Sequence, residues 1–372
     1  GSLGSSTVNV NGAGSSLAGT GIASGNVFIK NGGNLYVSSA NTGGLTLGSL
    51  SVDGASSINA DLGAPYSGSL INVNGNVTLN GSINVTQLPG FGVGVYRIVS
   101  YQGTGMTTGL TLANASPTFS LQTGLAGQIN VLNQSQANEI QIWQGSSGTW
   151  NGTNANWANA TTLAAEAWGG RFGVFQGPVS TVTVDATSNL QFQGLQFSTD
   201  GYIVSGGTLT AVNGSDGVTT LRVEPNVTAT LGSTLAGTDV TLAKRDAGTL
   251  ILTGANTYTG TTRLEGGVLQ INDDTQLGAT ANGVAFAGGT LRYAGAANGS
   301  TGRTWTVAGN GGIDVANAGV TYTANGAITD GATAGTLTKT GAGTLALNGT
   351  NTYTGGTLLQ AGTIQVLSLI HI

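Results

Sequence analysis

The side chains best suited to chemistry are scarce in this sequence, and their absence excludes a good deal. There is one histidine, His371, and no cysteine. A triad that uses histidine as base has none before residue 371, and thiolate nucleophiles and thiolate metal sites are excluded. Gly-x-Ser-x-Gly does not occur where a strand turns into a helix, and no Gly-rich turn leads into a helix that could hold a phosphate. Carboxylates remain. Asp273 and Asp274 are adjacent, but neighbours on a strand point to opposite faces, so the pair reads as a structural turn. Asp239, Asp246 and Glu265 can meet across neighbouring segments. Lys244, Arg245 and Arg263 lie among them, so the group reads as paired charges at an edge. Gly311-Gly312-Ile313-Asp314 is a lone fragment of the calcium-binding Gly-Gly-x-Gly-x-Asp nonapeptide and reads as a plain turn. No catalytic, cofactor-binding or metal-binding residue is assigned, and no cofactor is expected.

Two further patterns invite a binding role. Trp143, Trp150 and Trp157 recur at heptad spacing, and Trp168 follows. The Gly, Ser, Asn and Thr between them forbid a coiled coil. Exposed rings could form a sugar-stacking platform, but packing at an irregular junction is the preferred reading. Asn-x-Ser/Thr triplets at Asn76, Asn151 and Asn226 arise from composition and are given no function.

The elements that position these residues are written in the composition. Gly supplies 65 residues and charged side chains only 7 %, against roughly a quarter in average chains. Thr, Val, Gly and Asn suit short strands and tight turns. Apolar residues reach 39 % and alternate with polar ones, which excludes disorder over most of the length. Gly is not at every third position and Pro numbers 5, so collagen is excluded. The net charge of −5 offers nothing basic enough for nucleic acid or an anionic membrane. No apolar run approaches the roughly 20 residues of a membrane helix, and no signal peptide opens the chain.

Repetition sets the architecture. LAKRDAGTLILTGANTYTGTTRLEGGVLQI (242–271) and LTKTGAGTLALNGTNTYTGGTLLQAGTIQV (337–366) agree without a gap at more than half their positions. Each reads as strand, turn, strand, turn, strand: Thr249 to Thr253, then Tyr258 to Leu264 interrupted by Gly260, then Val268 to Ile271. Strands this short cannot bury an apolar face alone, so successive coils must stack. Leu250 and Leu252, and the matching Leu345 and Leu347, fall on one face by period-two alternation and should line the core. Ala160 to Trp168 is the best helix candidate, and it is short. At roughly 20–25 residues per coil the chain holds on the order of 15 coils. Stacked about 4.8 Å apart, they form a single elongated rod of about 70–80 Å.

The Lys244 and Lys339 surroundings, with Gly-Thr-Leu and then Asn-Thr-Tyr-Thr-Gly, resemble the autotransporter-associated β-strand repeat of bacterial autotransporter passengers. Val174-Phe175-Gln176-Gly177 and Gly201 to Thr210 resemble the segment that opens such a module. The resemblance implies an all-β, right-handed parallel β-helix (β-solenoid), displayed at the bacterial cell surface through a C-terminal translocator barrel. On this reading residues 1–142 form an N-terminal β-helix segment, truncated at its start. Residues 143–178 form a Trp-rich irregular junction, and residues 179–366 a β-helix segment carrying both repeat copies. Leu367-Ser368-Leu369-Ile370-His371-Ile372 breaks the style and reads as a non-native tail. The expected function is a structural or adhesive stalk in a fragment that lacks the barrel, with host or neighbouring-cell surface glycans or proteins as partners. The alternatives are a β-helical carbohydrate-active enzyme, which needs a groove of clustered carboxylates, and a filamentous exoprotein secreted by a separate partner.

Overall fold

A computed structural model describes residues 2–41, 43–65, 68–136, 139–145 and 148–366. Residues 367–372, with His371, lie outside the described residues. The chain divides into two compact units, residues 1–140 with 159–164, and residues 141–158 with 165–372. Each has its own apolar core.

In the first unit, alternation drives stacking. Gly21–Lys30 buries Val27 and Ile29 and turns Phe28 and Lys30 outward. It pairs in parallel with Val8–Asn11 on one side and Leu45–Val52 on the other, and Ile71–Val73 and Gly94–Tyr101 extend the ladder. A second ladder runs Ser16–Ala18, Asn34–Ser38, Ser57–Leu62, Ser82–Gln87, Thr111–Leu112, again in parallel. The expected all-parallel pattern then breaks. Gly94–Tyr101 pairs antiparallel with Gln128–Asn133, which pairs antiparallel with Phe119–Gln122. A short turn containing Gly124 and Gly127 joins these two strands. Gly127 has φ 75°, a left-handed value that glycine adopts without strain. The turn lets the chain double back where it would otherwise make another coil.

The second unit is built mainly of parallel ladders, two of them long. One contains Phe172–Phe175, Gly194–Phe197, Thr219–Val223, Val240–Arg245, Gly260–Leu264, Val284–Phe286, Trp305–Val307 and Ile328–Asp330. The other is a ten-stranded sheet from Gly148–Trp150 to Thr357–Leu359. The first repeat copy shows how sequence becomes coil. Thr249–Leu252 pairs with Val268–Ile271, and Val240–Arg245 with Gly260–Leu264. Alternate strands of the window are thus stacked neighbours in consecutive coils. Leu250, Leu252 and Leu345 are fully buried and Leu347 nearly so, as the alternation requires. The glycine of Ala-Gly-Thr-Leu is set by close approach. A Cβ at Gly248 would stand 2.2 Å from the carbonyl oxygen of Glu224, and one at Gly343 2.6 Å from that of Asn317.

Two local expectations fail for physical reasons. Ala160 to Trp168 is not helical. The Asn159 side chain accepts the amides of Thr161 and Thr162, Leu163 takes φ 59°, and Ala165–Glu166 is a short strand. Gly311–Val315 is a strand, not a turn. Its glycines make room for neighbours: a Cβ would meet Phe286 at 2.6 Å from Gly311 and Thr290 at 2.3 Å from Gly312. Among the described residues the one helical element is the 3-10 turn Asp274–Leu277, and no helix is long and apolar enough to cross a membrane.

Candidate functional site

Of the charged residues singled out above, Arg245, Arg263 and Glu265 form partly exposed pairs at the edge of the coil, as expected, while Lys244 and Asp246 lie deeper. Lys244 pairs in register with Leu221 on one side and Leu264 on the other, so its side chain points into the coil and is 1 % exposed. Its Nζ donates to the carbonyl oxygens of Arg245 (2.8 Å), Asp246 (2.8 Å) and Gly266 (3.1 Å). The first two belong to its own coil and the third to the next. The ammonium therefore ties two coils where the strand ends and its carbonyls need donors. Burial pulls the Lys244 pKa down to about 7, with the Asp246 carboxylate pulling the other way. The second copy repeats the arrangement. Lys339, also unexposed, donates to Thr340, Gly341 (2.9 Å) and Ala361 (3.2 Å), and burial lowers its pKa as well.

Most of these carboxylates are occupied by guanidinium groups. Asp246 meets Arg222 at 3.0 Å, both side chains essentially unexposed. Glu265 takes Arg245 at 2.8 Å and Arg263 at 3.0 Å, and Arg245 also reaches Asp216. Asp239 stands apart from this group, in a left-handed turn (φ 54°) whose amide donates to Thr259. Asp273 and Asp274 divide their work. Asp273 caps the 3-10 turn, accepting the amide of Thr275 at 2.9 Å. Asp274 pairs with buried Arg303 at 3.0 Å. Arg303 also donates to the carbonyls of Asp274 and Gly278, both at 2.9 Å. Asp314 pairs with Arg292 across the ladder at 2.7 Å.

The uncharged residues of the motif are fasteners too. Asn256 accepts the Leu235 amide at 2.7 Å from the coil before and donates to the Gln276 carbonyl at 2.6 Å in the coil after. Asn351 accepts the Ile328 amide in the second copy. The Tyr258 hydroxyl is buried against Thr262 at 2.6 Å, and burial pushes its pKa up to about 12. Among the triplet asparagines, Asn76 accepts the Thr104 amide, Asn151 the amides of Thr153 and Asn154, and Asn226 sits at φ 62°. Arg222, Arg303 and Asn256 carried no signal of their burial. The one available clue was that Lys244 and Lys339 occupy the same place in both copies.

All four clustered tryptophans are buried. Trp157 lies 5.2 Å from Trp143, 5.0 Å from Trp150 and 4.5 Å from Trp168, ring to ring, and Phe175 packs 5.4 Å from it. Their rings face one another and the core, so they offer no platform for a sugar. Among the described residues no three histidine, aspartate or glutamate side chains come together as metal ligands.

Comparison with known proteins agrees with the repeat. Residues 242–271 and 337–366 match the passenger-associated-transport-repeat family. The second unit is thus a parallel β-solenoid that carries two copies of this passenger-associated transport repeat. Over 92 % of its length the chain is 36 % identical to the adhesin BmaC autotransporter of Brucella suis biovar 1 (strain 1330), and it spans 10 % of that protein. No solved structure matches the chain.

Proposed function

We propose that this segment is a structural and adhesive stalk, not an enzyme. The observation that carries the reading is the use made of its reactive side chains. The buried lysines and arginines of the second unit are tied to carbonyls and carboxylates of adjacent coils. Groups committed in this way stabilise stacking and are not available to a substrate. Outward positions are left mostly to hydroxyls and amides, which make modest contacts that gain strength when many coils act together. The relative named an adhesin supports the same reading. A β-helical polysaccharide lyase or glycosidase would need converging carboxylates in a groove, whereas Asp246, Glu265, Asp274 and Asp314 face arginines and Asp273 caps a turn. The test uses beads coated with the whole chain, applied to cultured cells and to bacteria. Adhesion above uncoated beads is expected, with no shortening of polysaccharides incubated with the chain. Depolymerisation of any of them would favour the enzyme, and beads that fail to adhere would remove the adhesive role.

A further inference from the structure

The first unit carries a regular outer surface that the fastening role does not use. Its residues 1–140 hold five charged side chains, Lys30, Asp53, Asp61, Arg97 and Glu139. On the sheet formed by Ser16–Ala18, Asn34–Ser38, Ser57–Leu62, Ser82–Gln87 and Thr111–Leu112, Asp61 is the only one. Alternation turns Leu35, Val37, Ile58, Ala60 and Ile83 inward, where they are buried. The residues between them face out. Register places Tyr36 beside Asn59, and Asn59 beside Asn84, in one column across the strands. The amides are locked to one another. Asn59 donates to Asn34 at 3.1 Å and to Ser57 at 3.0 Å, Ser57 donates to Asn34 at 2.7 Å, and Asn84 donates to Asn59 at 2.9 Å. Next to this rigid strip Tyr36 is 46 % exposed.

We propose that this face binds a linear, uncharged polysaccharide, laid across the strands with one pyranose ring on Tyr36 and the next rings over Asn59 and Asn84. The inference rests on the adhesive reading above and names its partner. Three features select the occupant. An exposed tyrosine offers a flat apolar face with a polar tip, the complement of the C–H face of a pyranose. The strand spacing of about 4.8 Å is close to the length of one pyranose unit, so rings and rungs stay in step along the column. The strip carries almost no charge, which removes any attraction for sulfated or sialylated chains and for nucleic acid. A protein partner would call for a larger apolar anchor with Trp or Arg at its centre, which this strip lacks. Amides already held by their neighbours lose little freedom on binding.

Saturation-transfer NMR and titration calorimetry on the whole chain, with chitohexaose and cellohexaose as probes and a heparin hexasaccharide as anionic control, test the proposal. Binding of at least one neutral hexasaccharide is expected, weakened at least about fivefold by Tyr36→Ala and retained by Tyr36→Phe. Both variants should unfold at the parent's temperature, because the ring stands outside the core. Equal binding by Tyr36→Ala, preference for heparin, or no transfer to either neutral probe overturns the proposal. Coated beads that adhere to cells while the chain ignores both neutral probes sink this inference and leave the adhesive reading standing. Neutral-sugar binding lost in Tyr36→Ala, with beads that do not adhere, supports the face and sinks the adhesive reading.

Discussion

Replacing Lys244 with methionine keeps most of the stem and removes the ammonium. The carbonyl oxygens of Arg245, Asp246 and Gly266 then lose a donor that stood 2.8, 2.8 and 3.1 Å away. A buried acceptor left unpaired costs about 1–3 kcal/mol, so the gross loss is about 3–9 kcal/mol. Opposing it is the relief of no longer burying an ammonium, itself several kcal/mol. Which effect wins depends on pH. Burial lowers the Lys244 pKa from 10.5 to about 7. The unfolded chain keeps its proton up to about 10.5 while the folded chain releases it near 7. Between these values the unfolded state binds more protons, so native stability rises with pH, by up to about 1.4 kcal/mol per unit. A neutral amine still donates two hydrogens to the carbonyls. Methionine contributes no such slope. The variant should therefore be less stable than the parent by about 3–5 kcal/mol near pH 9, and the gap should shrink towards pH 7. All five tryptophans lie in the same unit as Lys244, so guanidinium unfolding followed by tryptophan fluorescence at pH 7, 8 and 9 reads the effect. A gap that stays constant over that range, or a variant as stable as the parent at pH 9, refutes the carbonyl-clamp argument.

Two other outcomes follow from burial. Leu250→Asp places an unpartnered carboxylate in the core and should cost several kcal/mol, whereas outward Thr249→Asp should stay within about 0.5 kcal/mol. Hydrogen exchange should show the Leu250→Asp damage confined to neighbouring coils, and equal damage from both changes would overturn the facing assignment. The buried cluster of Trp143, Trp150, Trp157 and Trp168 should make native fluorescence resistant to iodide and unaffected by soluble sugars, and strong quenching of the folded chain would contradict the packing.

What the sequence made legible was what repeats at short range. Period-two alternation is a local property, so the inward facing of Leu250, Leu252, Leu345 and Leu347 follows from the sequence alone. The inward turn of Lys244 could not, because a charged residue is normally assigned to a surface. Its acceptors are backbone carbonyls, one of them in the next coil, and carbonyls have no sequence signature. Arg222 and Asp246 lie a full coil apart along the chain, and nothing near either residue names the other. The Gly311-Gly312 pair misled for a related reason. Glycine marks a turn when the backbone needs it, but here the need comes from Phe286 and Thr290 in the coil before. The antiparallel return over Phe119–Gln122 and Gln128–Asn133 was equally hidden. A strand pattern records which face is apolar and says nothing of the direction of the strand alongside.

Stacking also accounts for the scarcity of charge. In a parallel ladder, equivalent residues of successive coils stand about 4.8 Å apart. A charge at an outer position, copied coil after coil, becomes a column of like charges, each neighbouring pair repelling by about 1 kcal/mol even in water. Neutral amides copied the same way attract instead, as Asn59 and Asn84 do. A sequence that grows by duplication can therefore repeat Thr, Ser and Asn freely, but it can repeat a charge only where an opposite charge or a set of carbonyls receives it. Several charges of the second unit follow that rule. Arg292 faces Asp314 in the next rung, Arg245 lies between Asp216 and Glu265, and Lys244 and Lys339 turn inward to carbonyls. An uncharged outer face is thus a consequence of how the coil is repeated, and it leaves hydrogen bonding and aromatic stacking as the forces by which such a surface can hold a partner.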